Sequence, residues 1–156
     1  MKKFIVLLSL LIGTFSFSSE NPIIGKWITE KAKNGNQIIV EFYQKNDKYF
    51  GKISKLTIPV YEEGHEFEGQ KKMDLANQNP DLQKRTLEGI DFVSNFTYDK
   101  NKNKFINGNI YNPENGKTYY CSITFKDENT IIVKGSLDKS GFIGSKQIWS
   151  RLKGNN

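Results

Sequence analysis

The sequence has few of the residues from which enzymes and metalloproteins build reactive sites. Its 156 residues include one cysteine, Cys121, and one histidine, His65. A lone cysteine cannot form an internal disulfide, and no Gly-x-Ser-x-Gly nucleophile motif is present. Four glutamates surround His65, but zinc prefers several nitrogen or sulfur ligands, so we interpret this segment as a solvated acidic loop. We therefore expect no catalytic residue, no metal site and no cofactor.

Arginine is almost as scarce, because 21 of the 23 basic residues are lysines and only Arg85 and Arg151 remain. Bidentate recognition of guanine or phosphate depends mainly on arginine. The lysines are also interleaved with carboxylates, as at Lys126 beside Asp127 and Glu128, so they form no continuous basic stripe. Despite a formal net charge of +6, we expect no nucleic-acid partner.

Long hydrophobic runs are missing, and the apolar run at residues 4–12 is far shorter than the ~20 residues that cross a bilayer. Two lysines precede this run and small residues follow it, which is the pattern of a secretory signal peptide cleaved after Ser18. We therefore expect a signal peptide at residues 1–18, no membrane span, and export to the periplasm or secretion. Residues 19–156 have the length of a single domain.

Most of this domain alternates apolar and polar residues with a period of two, which is how an extended strand buries one face. In residues 117–125, for example, Tyr119, Cys121 and Ile123 share the face opposite Ser122. Eight strands are predicted, at residues 24–31, 37–45, 48–57, 89–98, 104–111, 117–126, 129–137 and 143–152. Short strands joined by hairpin turns favour an all-β, eight-stranded antiparallel up-and-down barrel, which removes its edges by closing.

One stretch, residues 59–88, lacks this alternation. It carries two prolines and many charges, and it is longer than a plain connection in a compact domain. We expect a long loop between strands 3 and 4, with at most a short helical turn within residues 81–87 after Pro80.

Four residues at the two ends of the domain form a structural signature. Gly25 and Trp27 stand in the first strand, and Trp149 and Arg151 stand in the last. An arginine from the last strand can stack on an indole and donate hydrogen bonds to nearby carbonyls, which would join the two strands. In this Gly-x-Trp motif, with a basic residue late in the chain, the sequence resembles the lipocalins.

A second resemblance covers nearly the whole domain. The segments that carry it are residues 25–27, 49–53, 74–89, 108–119 and 135–151. They include Asn79-Pro80-Asp81 and Arg85, and they resemble a family of small exported bacterial proteins called DUF2147. The resemblance implies a lipocalin-like barrel and an exported location, and it implies no activity.

The predicted inward faces are rich in aromatic residues. These are the candidate ligand-binding residues: Phe42, Tyr49, Phe92, Phe96, Tyr98, Tyr119 and Phe125. An eight-stranded barrel is either filled by such side chains or holds one small ligand. Glycines at 51, 108 and 135 are compatible with both, since they allow tight coiling or leave space inside.

Three functions remain open from the sequence. The first is a non-catalytic carrier or sensor of a small lipophilic molecule such as a fatty acid, with the long loop as a cap. The second is an envelope interaction module with a filled barrel, which binds a protein or cell-wall component. The third, and least favoured, is an enzyme that uses Asp74 and Asp81 with Arg85.

Overall fold

A computed structural model describes residues 21–154, and the predicted signal peptide lies outside that part of the chain. Within it, eight strands follow one another along the sequence: β1 (Gly25–Ile28), β2 (Ile38–Lys45), β3 (Lys48–Leu56), β4 (Asp91–Asp99), β5 (Lys104–Asn112), β6 (Lys117–Asp127), β7 (Thr130–Ser136) and β8 (Gly144–Arg151). Each predicted strand is present. The first is shorter than expected and ends at Ile28; just beyond it, the Thr29 N–H donates to the carbonyl of Ile38, but the Ile38 N–H donates to the Thr29 hydroxyl and not to its carbonyl.

The strands form a closed barrel in which every strand is antiparallel to its neighbours. The barrel closes between β1 and β8, where Trp27 pairs with Arg151 and Ile28 pairs with Ser150. The predicted eight-stranded antiparallel barrel is therefore confirmed. Its inward side chains form the hydrophobic core of the described residues.

Because the strands run up and down in order, their connections alternate between the two ends of the barrel. The β1–β2, β3–β4, β5–β6 and β7–β8 connections lie at one end, called here the loop end. The start of β1 and the end of β8 lie at the other, called here the terminal end. Any side chain near the β5–β6 turn is therefore close to the long β3–β4 loop.

The inward faces follow the predicted alternation in most strands, as in β6, where Cys121 and Ile123 are buried. Strands β4 and β5 depart from it because the register shifts in the β3–β4 and β5–β6 pairings, near Asn95 and Asn107, which have positive φ angles of 64° and 58°. A bulge shifts which side chains point inward. It is the reason why Phe105, a core residue, was not singled out from the sequence.

The long loop between β3 and β4 is present, and its one helical segment in the described chain is a 3-10 turn at Pro80–Leu82. The helical turn expected within residues 81–87 therefore begins one residue earlier than expected, at Pro80, and ends at Leu82. The Asn79 side chain caps the turn by accepting from the Asp81 N–H at 3.1 Å. Further along the loop, the carbonyl of Arg85 accepts a hydrogen bond from the N–H of Asp74 at 3.0 Å. In the described part of the chain, no helix has the length and apolar character required to span a membrane.

Candidate functional site at the loop end of the barrel

Aromatic side chains fill much of the barrel interior in two groups. Around the ring of Phe105, at centroid distances of 4.8 to 6.5 Å, lie Tyr49, Phe96, Tyr98 and Phe125. In the second group, Phe42 and Phe92 pack against the buried indole of Trp149 at 6.4 and 5.8 Å. Six of the seven candidate ligand-binding residues therefore contact other aromatic rings.

The inward glycines provide space for these neighbours. A Cβ at Gly108 would stand 2.2 Å from the ring of Phe96, and one at Gly51 would stand 2.7 Å from methyl groups of Val40 and Val93. Real Cβ atoms do not approach other atoms so closely. At these two positions the missing side chain is replaced by packed protein atoms.

At the terminal end, Arg151 and Trp27 close the barrel. The guanidinium carbon of Arg151 lies 4.2 Å from the centroid of the Trp27 ring, and its Nη1 donates to the carbonyl of Ile24 at 3.2 Å. The Trp27 indole, which is fully buried, donates to the carbonyl of Ile23 at 2.8 Å. Gly25 has a φ of 115° and faces Arg151, so the chain can bend there beneath the arginine. Stacking and hydrogen bonds thus join β1 to β8.

The loop end is more open. Ser145 and Gln147 share the inward face of β8 with Trp149, yet both are exposed, whereas Trp149 is fully buried. An open pocket of about 440 Å³ lies at this end, lined by Gln78, Gly116, Lys117, Thr118, Tyr119, Tyr120 and Leu137. Tyr119, the remaining candidate ligand-binding residue, is therefore at the pocket and not in the two aromatic groups.

A network centred on Asp74 holds the long loop beside this pocket. The Asp74 side chain is fully buried, and its Oδ2 lies 2.8 Å from Nη2 and 3.0 Å from Nε of Arg85. Tyr111, from β5, donates its hydroxyl to Asp74 Oδ1 at 2.5 Å. Asn77 donates to Asp74 Oδ2 at 2.7 Å and to the Tyr111 hydroxyl at 3.2 Å. A charge that is fully buried is thus matched by a cation and two further donors.

This network changes the pKa of the Tyr111 hydroxyl. Desolvation, followed by the hydrogen bond and negative charge of Asp74, raises the pKa of Tyr111 from 10.0 to about 12. The hydroxyl therefore stays protonated and donates to Asp74 at neutral pH. It provides a contact between the barrel wall and the loop.

The family model described as "Uncharacterized protein conserved in bacteria (DUF2147)" matches residues 25–151. The chain belongs to the DUF2147 family. Among solved structures, the fold is similar to protein HP1028 of the human pathogen Helicobacter pylori, which is described as belonging to the lipocalin family. The two are 27% identical, with a TM-score of 0.70 over 83% of this chain and 82% of that one. No curated protein is significantly similar to the sequence.

In this DUF2147 barrel, two sequence segments that carried the family resemblance meet at the loop end. Residues 74–89 include the Asp74 network, and residues 108–119 include Tyr111 and the β5–β6 turn. The turn is closed by Gly116, whose φ is 68°. A Cβ there would lie 1.9 Å from the carbonyl oxygen of Ala76, so the loop backbone rests directly on the turn. Sequence periodicity could not show this contact because it joins distant residues.

The structure brings together only part of the hypothetical enzyme site. Asp74 and Arg85 are in contact, whereas Asp81 is exposed on the 3-10 turn. Asp74 has no accessible surface, so it orders the loop and does not face a substrate. His65 is also exposed and stacks on Tyr61 with centroids 4.1 Å apart. Among residues 21–154, no group of three His, Cys, Asp or Glu residues is arranged to hold a metal ion.

Cys121 lies on the inward face of β6, opposite Gly108 on one side and Gly135 on the other. Burial raises the pKa of its thiol from 9.0 to about 12. Because the thiolate is the reactive form, Cys121 is a small core residue and an unreactive thiol.

Proposed function

We propose that the protein binds a small amphiphilic molecule, such as a fatty acid, non-covalently at the loop end of the barrel. The observation that carries the proposal is the open pocket of about 440 Å³ beside Tyr119. Its volume lies within the range of about 300–1,000 Å³ typical of small-molecule sites. The lipocalin-like fold supports ligand binding as a general role.

The pocket lining fits a ligand with one apolar and one polar part. Tyr119, Tyr120 and Leu137 offer apolar surface, while Lys117 offers a positive charge. A carboxylate head would pair with the Lys117 ammonium, and the chain would lie along the aromatic rings. The proposed role is non-catalytic, since binding of this kind needs no covalent step.

A displacement assay tests the proposal. We expect a fluorescent fatty acid to bind one site per chain and to be displaced by unlabelled fatty acids. Lys117→Gln should weaken binding by up to about fivefold, the effect of losing about 1 kcal/mol of exposed ion pairing. Lys126→Gln is the matched control, because Lys126 is an exposed lysine at the opposite end of the same strand.

The second candidate is an envelope interaction module with a filled barrel. The packing of six candidate residues into aromatic groups favours it, since these side chains occupy space that a deep ligand would need. Native mass spectrometry of protein purified from its own host, followed by lipid extraction, distinguishes the two. A stoichiometric apolar molecule supports the carrier, whereas repeatedly empty protein with no dye displacement supports the module.

We also propose that the protein is exported, to the periplasm or outside the cell. The proposal is supported by the two lysines and the apolar run that begin the sequence. Fractionation followed by N-terminal sequencing should give a chain that starts at Ser19. An intact N-terminus in a cytoplasmic fraction would contradict export.

A further inference from the structure

The turn between β7 and β8 displays apolar side chains that the barrel does not use. In this segment, residues 137–143, called here the apolar turn, three side chains are largely exposed: Leu137 (66%), Phe142 (92%) and Ile143 (61%). Large apolar side chains that are exposed together at one place often mark an interaction site. The turn is at the loop end, beside the pocket that Leu137 also lines.

The apolar turn is ordered by Asp138. Its carboxylate accepts hydrogen bonds from the N–H groups of Ile143 at 2.8 Å and Phe142 at 3.1 Å, and from the hydroxyl of Ser140. Its own carbonyl accepts from the N–H of Gly141 at 3.0 Å. Phe142 and Ile143 are therefore held outward by a bonded backbone and are not placed there by a loose chain.

Charge near the turn is mostly positive. From residue 134 to residue 146 the charged residues are three lysines and one aspartate. The aspartate is Asp138, whose carboxylate is already occupied within the turn. Lys134 and Lys146 face each other across β7 and β8, and Lys139 lies in the turn itself. The Nζ of Lys134 is 3.7 Å from the place where a Cβ of Gly141 would stand.

The backbones of Lys134 and Lys146 lie below the apolar tip, while the Lys134 ammonium reaches up to the turn at Gly141. Along the strands, Lys134 precedes Leu137 by three residues and Lys146 follows Ile143 by three, a distance of about 10 Å at ~3.3 Å per residue. Interfacial protein segments bury their apolar face about 5–10 Å into a bilayer. When the tip is at that depth, the flexible lysine side chains can reach the phosphates of an anionic surface, which attracts them.

We propose that the apolar turn docks the protein on an anionic phospholipid bilayer, with Phe142 and Ile143 inserted and Lys134, Lys139 and Lys146 at the headgroups. A protein partner fits the turn less well. Specific protein interfaces bury roughly 800 Å² on each side, which is more than three side chains on one convex turn supply. The proposal is independent of the ligand proposed above.

Vesicle flotation tests the docking. The full chain and its variants are mixed with vesicles of equal parts phosphatidylglycerol and phosphatidylcholine, or of phosphatidylcholine alone. We expect binding to the anionic vesicles that falls at least tenfold in Phe142→Ser and severalfold in Lys139→Glu. Ile148→Ser is the matched control, since Ile148 is an exposed isoleucine (44%) on the barrel wall, and it should bind normally.

A local measurement separates insertion of the turn from binding by another part of the chain. Brominated lipid should quench the added fluorescence of Phe142→Trp but not that of Ile148→Trp. The proposal is overturned by the absence of binding, by normal binding of Phe142→Ser, or by equal quenching at the two positions. A dimer in sedimentation velocity that Phe142→Ser abolishes, without vesicle binding, would also overturn it and make the turn a protein interface.

Discussion

Gly108 and Gly135 illustrate how two glycines that look alike in the sequence have different roles. Both lie on inward faces, opposite Cys121 in the neighbouring strands. A Cβ at Gly108 would overlap the ring of Phe96, whereas one at Gly135 would lie 3.4 Å from a methyl of Ile110, close to ordinary contact. The sequence left open whether these glycines create a cavity. At Gly108 the space holds Phe96.

The first prediction compares the two glycines. Gly108→Ala should lower the free energy of unfolding by about 1–3 kcal/mol or more, because the added methyl overpacks the core against Phe96. Gly135→Ala should change it by about 0.5 kcal/mol or less, since Ile110 needs to move little. Urea unfolding followed by circular dichroism measures both. Equal losses in the two variants would contradict the assignment of Gly108 to the Phe96 contact.

At the level of elements, strands with regular pleating were predictable and bulged ones were only partly so. In β6 the period of two identified the buried positions Cys121 and Ile123 directly. In β4 the register shifts place Phe92 and Val93, which are adjacent, both in the core. No alternating pattern predicts two inward neighbours. The alternation therefore predicts strand β4 but identifies only some of the side chains that point into the barrel.

The long loop depends on contacts that no local pattern encodes. Asp74 and Arg85 belong to the loop, but Tyr111 comes from β5, 37 residues further along the chain. The many charged residues and the absence of alternation in residues 59–88 suggested a solvent-exposed loop. The buried network shows instead that this part of the loop is anchored to the barrel beside the pocket that Gln78 lines. The amides of a loop anchored in this way exchange more slowly than those of a free loop.

The second prediction concerns this element. Tyr111→Phe removes a hydrogen bond to a buried carboxylate, which contributes about 1.5–3 kcal/mol. Amide hydrogen exchange of residues 72–87 should therefore accelerate by roughly 10- to 100-fold. Tyr43→Phe is the control, because Tyr43 donates to Asp91 at 2.7 Å on the barrel wall and does not touch the loop. Unchanged exchange in Tyr111→Phe would show that the loop is held by other contacts.

The raised pKa of the Tyr111 hydroxyl leads to a prediction of how the free energy of unfolding changes at alkaline pH. In the folded protein the pKa of Tyr111 is raised to about 12 from its ordinary 10.0. Its stabilising effect is present below pH 10 and is lost between pH 10 and 12, as the unfolded chain ionises first. The loss over this range should be smaller in Tyr111→Phe than in the parent protein. Urea unfolding at pH 9, 10 and 11 checks the sign.

At the scale of the whole molecule, closure depends on a short contact. Only two residue pairs join β1 to β8 in the described barrel, Trp27 with Arg151 and Ile28 with Ser150. Arg151 strengthens this seam by stacking on Trp27 and donating to the carbonyl of Ile24, and its Nε also donates to the carbonyl of Glu128 in the β6–β7 turn at 3.0 Å. The guanidinium therefore links both ends of the chain.

The third prediction tests this closure. Trp27→Ala should lower the free energy of unfolding by about 3–5 kcal/mol, the usual cost of truncating a buried aromatic side chain. Arg151→Lys should also destabilise, because an ammonium cannot reproduce the stacked, forked contacts of a guanidinium. Phe142→Ala is the control, since Phe142 is 92% exposed. If Trp27→Ala left the free energy of unfolding nearly unchanged, the Trp27 indole would not stabilise the contact between β1 and β8.

The sequence by itself determined the strand count, the antiparallel order, the position of the long loop and the residues of the β1–β8 seam. The strands, their order and the loop depend on local alternation and turn chemistry, which act over short stretches, and the seam was recognised from a motif that resembles the lipocalins. Only the tertiary structure decided that Phe96 occupies the space at Gly108, that Tyr111 holds Asp74, and that the apolar turn is exposed. Such contacts join residues far apart in the chain, so they are determined by the barrel's register and bulges.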